Sequence, residues 1–351
     1  MIPFPPARVL VVAELSANHL GSLANALELV DAAAAAGAHA VKLQTWCPGK
    51  MVLDRGYVLE RGLWAGRNLA ELYDEAQTPL EWHGPLLARA KARGIAAFTS
   101  VFDMESLAFL EAEHPMPAYK VASFELVDLL LIRAIARTGK PMILSTGMAT
   151  LVEIAEAVDA AARAGCRDLT LLRCTSAYPA GPEHANLRTM AHMAERFDCR
   201  VGLSDHTPGI GVAVAAAALG AKMIEKHLKL DAGGGLDDAF SIDPKGLAQL
   251  VRAVQDAAQA PGKTGAYGPT IGEAPQLELR RSLYLARAVR AGDTLTLEHI
   301  RTARPALGLP PRMIGRFLGK TAIVDAPAAS PVTWGLIEPA DAIAEANSSR
   351  L

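Results

Sequence analysis

Residues 200–227 read RVGLSDHTPGIGVAVAAAALGAKMIEKH and contain a complete strand–helix–strand unit. An apolar run, Arg200–Ser204, leads through polar residues into an alanine-rich stretch, and a second apolar run, Lys222–His227, follows it. Short apolar runs that alternate with helical stretches are typical of a parallel sheet covered by helices. This stretch therefore predicts two neighbouring parallel strands joined by a helix.

The same alternation extends upstream through most of the chain. Six further strand candidates precede it, namely Val9–Leu15, Ala40–Gln44, Ala96–Ser100, Ala118–Val121, Met142–Ser145 and Leu169–Cys174. Helix signals accompany them, such as the capping box of Thr150 with Glu153. A further helix begins at Asp243, with Pro244 in its first turn, and runs to about Ala260. Eight units in this order predict an α/β fold, closed into a (β/α)8 TIM barrel.

A change in composition marks the end of the barrel. Between Pro261 and Pro275, seven of fifteen residues are glycine or proline, which interrupts both helical and strand periodicity. The residues that follow contain short apolar runs, turn signals and prolines, a pattern unlike another strand–helix unit. We therefore expect a barrel domain at 1–260, a linker at 261–281 and a small irregular domain at 282–340.

Charge and cysteine content argue against several classes of partner. The 351 residues carry 35 Lys and Arg against 37 Asp and Glu, a net charge of −2, which gives no basis for binding nucleic acid or an anionic membrane surface. The four cysteines lack C-x-x-C spacing, and the first residues lack a signal-peptide pattern. The longest apolar stretches are about half the length that spans a bilayer. We expect a cytoplasmic protein without a transmembrane segment.

In a β/α barrel, catalytic groups lie at the C-terminal ends of the strands and in the loops that follow. That rule selects Glu14, Lys42, Gln44, Thr99, Ser100, Lys120, Ser123, Glu125, Ser145, Thr146, Arg173–Ser176, Ser204–His206 and Glu225–His227. Charged groups inside a barrel cost free energy unless partners or ligands satisfy them. Lys42 and Lys120 therefore indicate either a bound anion or ion pairs with carboxylates such as Glu14 or Glu125.

His206 and His227 end neighbouring strands, which brings two imidazoles to one mouth of the barrel. Two His ligands leave positions open on a divalent metal for water or substrate. The alternative is that each imidazole bonds a loop carbonyl. Four serines also lie at strand ends, namely Ser100, Ser145, Ser176 and Ser204. Their hydroxyl groups are suited to bind phosphate or carboxylate oxygens, and the alternative is that they cap helices. The sequence lacks a nucleophile elbow, a Walker loop and a dinucleotide glycine fingerprint.

Six motifs at these strand ends occur in a familiar order and spacing. They are Glu14–His19 (ELSANH), Lys42–Thr45 (KLQT), Tyr119–Ser123 (YKVAS), Leu144–Gly147 (LSTG), Gly202–Thr207 (GLSDHT) and Glu225–His227 (EKH). Together they resemble the sialic acid synthase family. Residues 281–334 are similar to the antifreeze-like (SAF, or β-clip) domain that ends these enzymes. The resemblance covers nearly the whole chain and implies an enzyme.

Within that family, Leu63–Leu69 (LWAGRNL), Tyr73 and Cys174–Pro179 (CTSAYP) resemble the branch that makes pseudaminic acid. Ser176 stands where N-acetylneuraminate synthases usually carry Asn. The resemblance implies condensation of phosphoenolpyruvate with open-chain 2,4-diacetamido-2,4,6-trideoxy-L-altrose, giving pseudaminic acid and phosphate. The alternatives are a synthase for N-acetylneuraminate or legionaminate, and a sugar-binding barrel without turnover.

The resemblance also implies roles for single residues. It makes Glu14, Lys120, His206 and His227 catalytic, with the two histidines holding Mn²⁺ or Mg²⁺. It makes ten further residues substrate-binding, namely Lys42, Gln44, Ser100, Ser123, Ser145, Ser176, Tyr178, Ser204, Asp237 and Arg304. In the family, the antifreeze-like domain of one subunit closes over its partner's barrel, which implies a domain-swapped homodimer with Arg304 at the partner's site. The alternative for this domain is ice or glycan binding of its own.

Overall fold

The computed structural model describes residues 8–47, 49–230 and 233–338. The chain divides after Gly262 into two compact units. The predicted barrel domain ends at residue 260. Its residues 1–7, and residues 339–340 of the predicted small domain, lie outside the described range.

Eight parallel strands form the centre of the first unit. They are β1 (Leu10–Glu14), β2 (Ala40–Thr45), β3 (Ala96–Val101), β4 (Tyr119–Val121), β5 (Met142–Ser145), β6 (Leu169–Cys174), β7 (Arg200–Asp205) and β8 (Met223–His227). Each strand pairs with the next along the chain, and β8 pairs with β1, so that the sheet closes into a barrel. This confirms the predicted (β/α)8 TIM barrel.

Helices follow the strands and surround the barrel. They are α1 (Leu23–Ala35), α2 (Leu69–Ala76), α3 (His83–Ala92), α4 (Met104–Glu113), α5 (Leu129–Arg137), α6 (Leu151–Arg163), α7 (Thr189–Phe197), α8 (Gly211–Ala218) and α9 (Pro244–Gln259). The predicted capping box opens α6, since Thr150 and Glu153 exchange both bonds. Asp243 caps α9 by accepting from the Gly246 N–H at 2.6 Å. Within the described residues, no helix is long and apolar enough to cross a membrane.

The inward-facing positions of the strands change character along the barrel axis. Near the N-terminal ends they are apolar and fill the interior, with Leu10, Val12, Ala40, Phe98, Ala118, Ile143, Leu172 and Met223 forming one buried cluster. Because strand side chains alternate between faces, the next inward position lies two residues further on. Val12 is thus followed by Glu14, and Met223 by Glu225. The apolar plug therefore forms the floor of a polar layer at the C-terminal face.

Strand register brings the polar residues of this layer to similar heights. Glu14 stands opposite both Lys42 of β2 and His227 of β8. On the other side of β8, Ser204 of β7 stands opposite Glu225. The closed sheet therefore gathers residues that are widely separated in sequence.

The second unit contains one antiparallel pair of strands, β9 (Ser282–Leu285) and β10 (Ile300–Ala303). Its core packs side chains of both strands against the turns that follow, with Leu283, Leu285, Val289, Leu295, Ile300, Phe317 and Val332 buried. The other described residues of this unit run through turns and short 3-10 segments, including Pro311–Arg316 and Trp334–Leu336. This unit is the compact irregular module that the sequence predicts.

Candidate active site

A cavity of about 490 Å³ opens at the C-terminal ends of the barrel strands. Twelve of the fourteen predicted site residues line it, namely Glu14, Lys42, Gln44, Ser100, Lys120, Ser123, Ser145, Tyr178, Ser204, His206, His227 and Asp237. Ser176 lies just behind the lining, with its Oγ 3.7 Å from the Sγ of Cys174. Arg304 belongs to the second unit, where it follows β10 and its side chain is exposed.

Two buried amine–carboxylate pairs form the base of this cavity. Lys42 pairs with Glu14 and donates to Ser100 Oγ at 2.8 Å. Lys120 pairs with Glu225, which also accepts from Ser204 Oγ at 3.0 Å. The ion-pair alternative is therefore realised at both lysines, and one of the two suggested carboxylates, Glu14, takes part.

Glu125, the other carboxylate that the sequence suggested as a partner for these lysines, does not pair with Lys120. The partner is Glu225, because β4 and β8 face each other across the barrel, whereas Glu125 sits in the 3-10 turn Ser123–Glu125 outside the cavity lining. Burial raises the pKa of Glu125 to about 7. That carboxyl therefore holds its proton far more readily than one in water.

Burial and pairing shift the pKa values of Glu14, Glu225 and Lys120 in different directions. Burial raises the pKa of Glu14 against the lowering effect of Lys42. Burial alone raises the pKa of Glu225 too, but Lys120 and Lys42 outweigh it and lower that pKa to about 2. Burial lowers the pKa of Lys120, and its carboxylate partner offsets this only in part. Glu14 is therefore the carboxyl of the two that accepts a proton more readily.

The two predicted metal ligands lie side by side at the mouth. The ring centroids of His206 and His227 are 5.2 Å apart. His206 Nδ1 is 3.0 Å from the Thr175 carbonyl oxygen, which can only accept, so Nδ1 carries the hydrogen. His227 Nδ1 is 3.3 Å from Asp237 Oδ2. Nε2 of His206 therefore carries the free lone pair, and the Asp237 carboxylate stands behind the Nδ1 edge of the His227 ring.

This arrangement fits a divalent metal. A carbonyl or carboxylate behind the second ring nitrogen is the usual support of a metal-binding histidine, because it fixes the tautomer and the ring orientation. The predicted alternative, a histidine bonded to a loop carbonyl, is also realised at His206, and it leaves the metal-binding nitrogen available. Burial alone raises the pKa of Asp237, but the neighbouring His227 outweighs this and lowers it, which keeps the supporting carboxylate ionised.

A second group of possible ligands is less suited to a metal. Cys47, Asp103 and Glu105 approach one another closely enough to share an ion. Asp103, however, caps α4 through the Ser106 N–H at 2.7 Å, and Glu105 pairs with Lys50 at 3.1 Å. These carboxylates already have partners, which makes this group less suited to a metal than the histidine pair.

Three aromatic side chains, those of Trp64, Tyr178 and Phe240, form an aromatic wall beside the histidines. Trp64 and Tyr178 have ring centroids 5.6 Å apart, and Phe240 lies 5.0 Å from Tyr178 and 4.8 Å from His227. The Trp64 indole N–H donates to the Leu236 carbonyl at 3.3 Å, which links the loop after β2 to the loop after β8. Sequence reasoning did not place Trp64 or Phe240 in the site. The only sequence signal for them was that Trp64 lies in the loop after β2 and Phe240 in the loop after β8, and such loops border the mouth of a barrel.

Two buried polar atoms of the cavity have neither a hydrogen-bond partner nor an ion-pair partner among the described residues. They are Ser145 Oγ and Glu225 Oε2. Ser123 differs, because its Oγ accepts from the Gly147 N–H at 3.1 Å. Buried polar atoms in folded proteins are nearly always paired, so unpaired ones in a cavity mark places for a ligand or water.

Another cleft, of about 550 Å³, opens at the N-terminal ends of β6 and β7. Asp168 and Arg200 pair with each other there, and Cys166 and Cys199 also line it. Burial raises the pKa of both thiols, that of Cys199 to about 11, which makes them poor nucleophiles. Catalytic groups gather at the opposite face of the barrel.

Two family models match the chain. A NeuB family model matches residues 29–266, which is more than half of the sequence, and a SAF domain model matches residues 280–338. The chain belongs to the NeuB family. The resemblance to sialic acid synthases, and the expected antifreeze-like domain at the C-terminal end, are thereby confirmed.

Several curated relatives are similar over nearly their full length. A pseudaminic acid synthase of Campylobacter jejuni is 40% identical over 325 residues, covering 91% of this chain and 93% of the relative. A pseudaminic acid synthase of Helicobacter pylori is 41% identical over 336 residues, covering 93% and 97%. An N,N'-diacetyllegionaminic acid synthase of C. jejuni is 34% identical, covering 90% and 96%.

A solved structure shows a similar fold. The N-acetylneuraminic acid synthetase of Leptospira borgpetersenii, in complex with citrate, superposes with a TM-score of 0.69 at 30% identity. The match covers 77% of this chain and 90% of that one. A barrel enzyme of this family is therefore similar in structure as well as in sequence.

Proposed function

We propose that this NeuB-family enzyme condenses phosphoenolpyruvate with open-chain 2,4-diacetamido-2,4,6-trideoxy-L-altrose to give pseudaminic acid and phosphate. The observation that carries the proposal is the assembly of two amines, two imidazoles and five serine residues around one cavity. The identities of 40% and 41% to pseudaminic acid synthases support the choice of sugar.

The charged side chains of the cavity suit an anionic substrate only if a further positive charge is added. Lys42 and Lys120 face three carboxylates, those of Glu14, Glu225 and Asp237, so that one negative charge remains when both histidines are neutral. Phosphoenolpyruvate therefore needs a further positive charge, which a divalent cation supplies, or a proton on Glu14. The raised pKa of Glu14 makes it the natural proton acceptor.

The phosphate and carboxylate oxygens bind at the base of the cavity in this proposal. Lys120 and Lys42 offset their charge, as amines do for developing anions in dry sites. The unpaired Ser145 hydroxyl is free to donate to one of these oxygens. The other hydroxyls that contribute are those of Ser100, Ser123, Ser176 and Ser204.

His206 and His227 hold Mn²⁺ or Mg²⁺ through Nε2 in this proposal. When bound, the metal acts as a Lewis acid on the sugar aldehyde. Asp237 keeps the His227 ring oriented and hydrogen-bonds the sugar. Carbon 3 of phosphoenolpyruvate attacks the aldehyde carbon, and a new C–C bond forms while positive charge develops at carbon 2.

Glu14 completes the reaction. Water adds to carbon 2 and Glu14 takes the first proton that this water loses. The C–O bond to phosphate then breaks as the new hydroxyl becomes the keto group and its proton passes to the departing phosphate. Glu14 returns its proton to the former aldehyde oxygen, which becomes the carbon 4 hydroxyl. Its burial and its position beside both Lys42 and His227 support this role. A general base contributes about 10²–10⁴-fold to such a step.

The aromatic wall supports the choice of a deoxygenated sugar. Trp64, Tyr178 and Phe240 offer apolar surface beside the histidines, and Leu236 lies in the same lining. A methyl group at carbon 6 and two acetamido methyls bury more apolar area there than a hydroxymethyl group does. Gln44, held by Ser16 Oγ at 2.9 Å, remains available for a sugar hydroxyl or amide.

We further propose a homodimer in which the antifreeze-like domain of one subunit covers its partner's cavity. Arg304 then holds carboxylate or acetamido oxygens of the substrate through its planar fork. The exposed side chain of Arg304 supports this role, since a buried one has no access to a partner. Four free cysteines support a reducing, cytoplasmic location.

The test is phosphate release by the purified protein with Mn²⁺ and phosphoenolpyruvate. Three sugars are offered in parallel: the diacetamido-trideoxy-altrose, its manno isomer and N-acetylmannosamine. Release with the altrose sugar alone supports the proposal. Release with another sugar alone moves the chain to the legionaminate or neuraminate branch, and no release with any of them favours a sugar-binding protein.

A further inference from the structure

The residues that directly precede the two histidines form a buried ion pair of their own. Asp205 precedes His206 and Lys226 precedes His227, and the two stand opposite each other in β7 and β8. Strand alternation turns them away from the cavity, into the apolar layer between the strands and the helices. Both side chains are at most 1% exposed.

This pair extends into a small network around His206. Lys226 Nζ donates to Asp205 Oδ2 at 2.9 Å and also to the Thr207 carbonyl. Asp205 Oδ1 accepts from the Thr207 N–H at 2.9 Å and from the Thr207 hydroxyl at 2.8 Å. Thr207 is therefore held through all three of its polar groups, and the residues on both sides of His206 are fixed to Lys226.

Fold stability alone is a weak reason for this arrangement. A buried ion pair loses the hydration of both charges, and well-packed apolar residues of similar size often stabilise a fold equally well. The best-attested use of such a pair is to fix one alignment of the elements that carry it. Here the elements are the two strand ends that carry the imidazoles.

We propose that Lys226, Asp205 and Thr207 form a positioning network that presets His206 and His227 for a divalent cation. The network acts on the backbone of both histidines, whereas Thr175 and Asp237 act on their rings. This inference rests on the assignment of the metal to the histidine pair in the proposed function. Lys226 is a positioning residue, because its amine points away from the cavity.

The test measures binding of Mn²⁺ alone to the full-length protein by electron paramagnetic resonance of the free ion. Lys226→Met keeps the side-chain volume and removes the bonds from Lys226 to Asp205 and to the Thr207 carbonyl. The double variant Asp205→Asn with Lys226→Met removes the same bonds and leaves no unpaired buried charge. We expect both to raise the Kd for Mn²⁺ at least about tenfold, as losses of supporting groups do at metal sites. Thr207→Val, which is isosteric and removes one donor, raises it about threefold.

Thr45→Val is the matched control for general loss of stability. The Thr45 hydroxyl is fully buried on β2 and lies 2.7 Å from both His83 Nε2 and Thr99 Oγ1, away from the histidine pair. We expect this variant to unfold at a lower temperature and to bind Mn²⁺ like the parent protein. A control that loses as much affinity as the network variants assigns the effect to stability and overturns the inference.

His206→Ala separates this inference from the proposed function. If the parent binds Mn²⁺, His206→Ala loses it, and the network variants bind like the parent, then the network is only structural and the inference fails alone. If the parent binds no Mn²⁺, or His206→Ala still binds it, the metal assignment fails and takes the inference with it. The double variant and Thr207→Val decide the matter if Lys226→Met does not fold.

Discussion

Replacing Glu225 with glutamine tests the buried pair at the base of the cavity. Glutamine keeps the shape of the side chain but removes the charge that faces Lys120. Its oxygen can still accept from the Ser204 hydroxyl, which donates to Glu225 at 3.0 Å in the parent protein. The substitution therefore isolates the ion pair from the packing around it.

The size of the effect follows from the acidity of Glu225. Its pKa is lowered from 4.5 to about 2. At neutral pH this depression corresponds to about 3 kcal/mol of folding free energy as an upper limit. Because the folded-state pKa is the lower one, this contribution is complete above about pH 4.5 and is lost as the pH falls towards 2. Between pH 7 and pH 4 it shrinks by about 1 kcal/mol.

Urea unfolding of the parent protein and of Glu225→Gln at pH 7 and pH 4 measures this difference. We expect a loss of about 2–3 kcal/mol at pH 7 and a smaller loss at pH 4. Glu105→Gln is the control, because Glu105 pairs with Lys50 at 3.1 Å on the surface, where we expect no measurable change. Equal stability of parent and variant, or a difference that does not depend on pH, refutes the reasoning.

The same exchange weakens the hold of Lys120 on its proton. Burial already lowers the pKa of this amine, and Glu225 opposes that effect. Without the carboxylate, Lys120 loses its charge at lower pH. We expect calorimetry to show phosphoenolpyruvate binding that weakens more steeply between pH 7 and pH 9 in Glu225→Gln than in the parent protein.

Three further predictions concern turnover. Glu14→Gln lowers kcat by about 10²–10³-fold while phosphoenolpyruvate still binds in calorimetry, and normal turnover removes Glu14 from its role as base. Gly147→Ala raises KM for phosphoenolpyruvate about tenfold in steady-state assays, because the added methyl group overlaps Ser176 Oγ and Ser123 Oγ and displaces both hydroxyls. Arg304→Ala slows turnover at an unchanged melting temperature, and unchanged kinetics in a dimeric protein contradicts the closing role of its domain.

The sequence predicted the barrel well because the strands carry two signals at once. Met142–Ser145 and Leu169–Cys174 have the predicted bounds, β1 is one residue shorter than predicted at each end, and the other strands differ by one residue at one end. Apolar runs identify strands buried on both faces, and the polar residue at the end of each run marks the mouth of the barrel. Those polar ends also located most of the charged and serine residues that line the cavity.

Contacts across the barrel were beyond sequence reasoning. Lys120 pairs with Glu225 because β4 and β8 face each other at one height, a relation that depends on the closed geometry of the sheet and not on spacing along the chain. Trp64 and Phe240 were missed for a related reason. They come from loops, whose path over the mouth is set by local bonds such as that from Trp64 to the Leu236 carbonyl.

Competition between the three sugars in one reaction tests the central claim most directly. The purified protein receives equal amounts of the diacetamido-trideoxy-altrose, its manno isomer and N-acetylmannosamine, with phosphoenolpyruvate and Mn²⁺, and proton NMR identifies the nine-carbon acid that forms. We predict pseudaminic acid as the main product, with one phosphate released per molecule. A main product of N-acetylneuraminic or diacetyllegionaminic acid, or phosphate without any nine-carbon acid, contradicts the account.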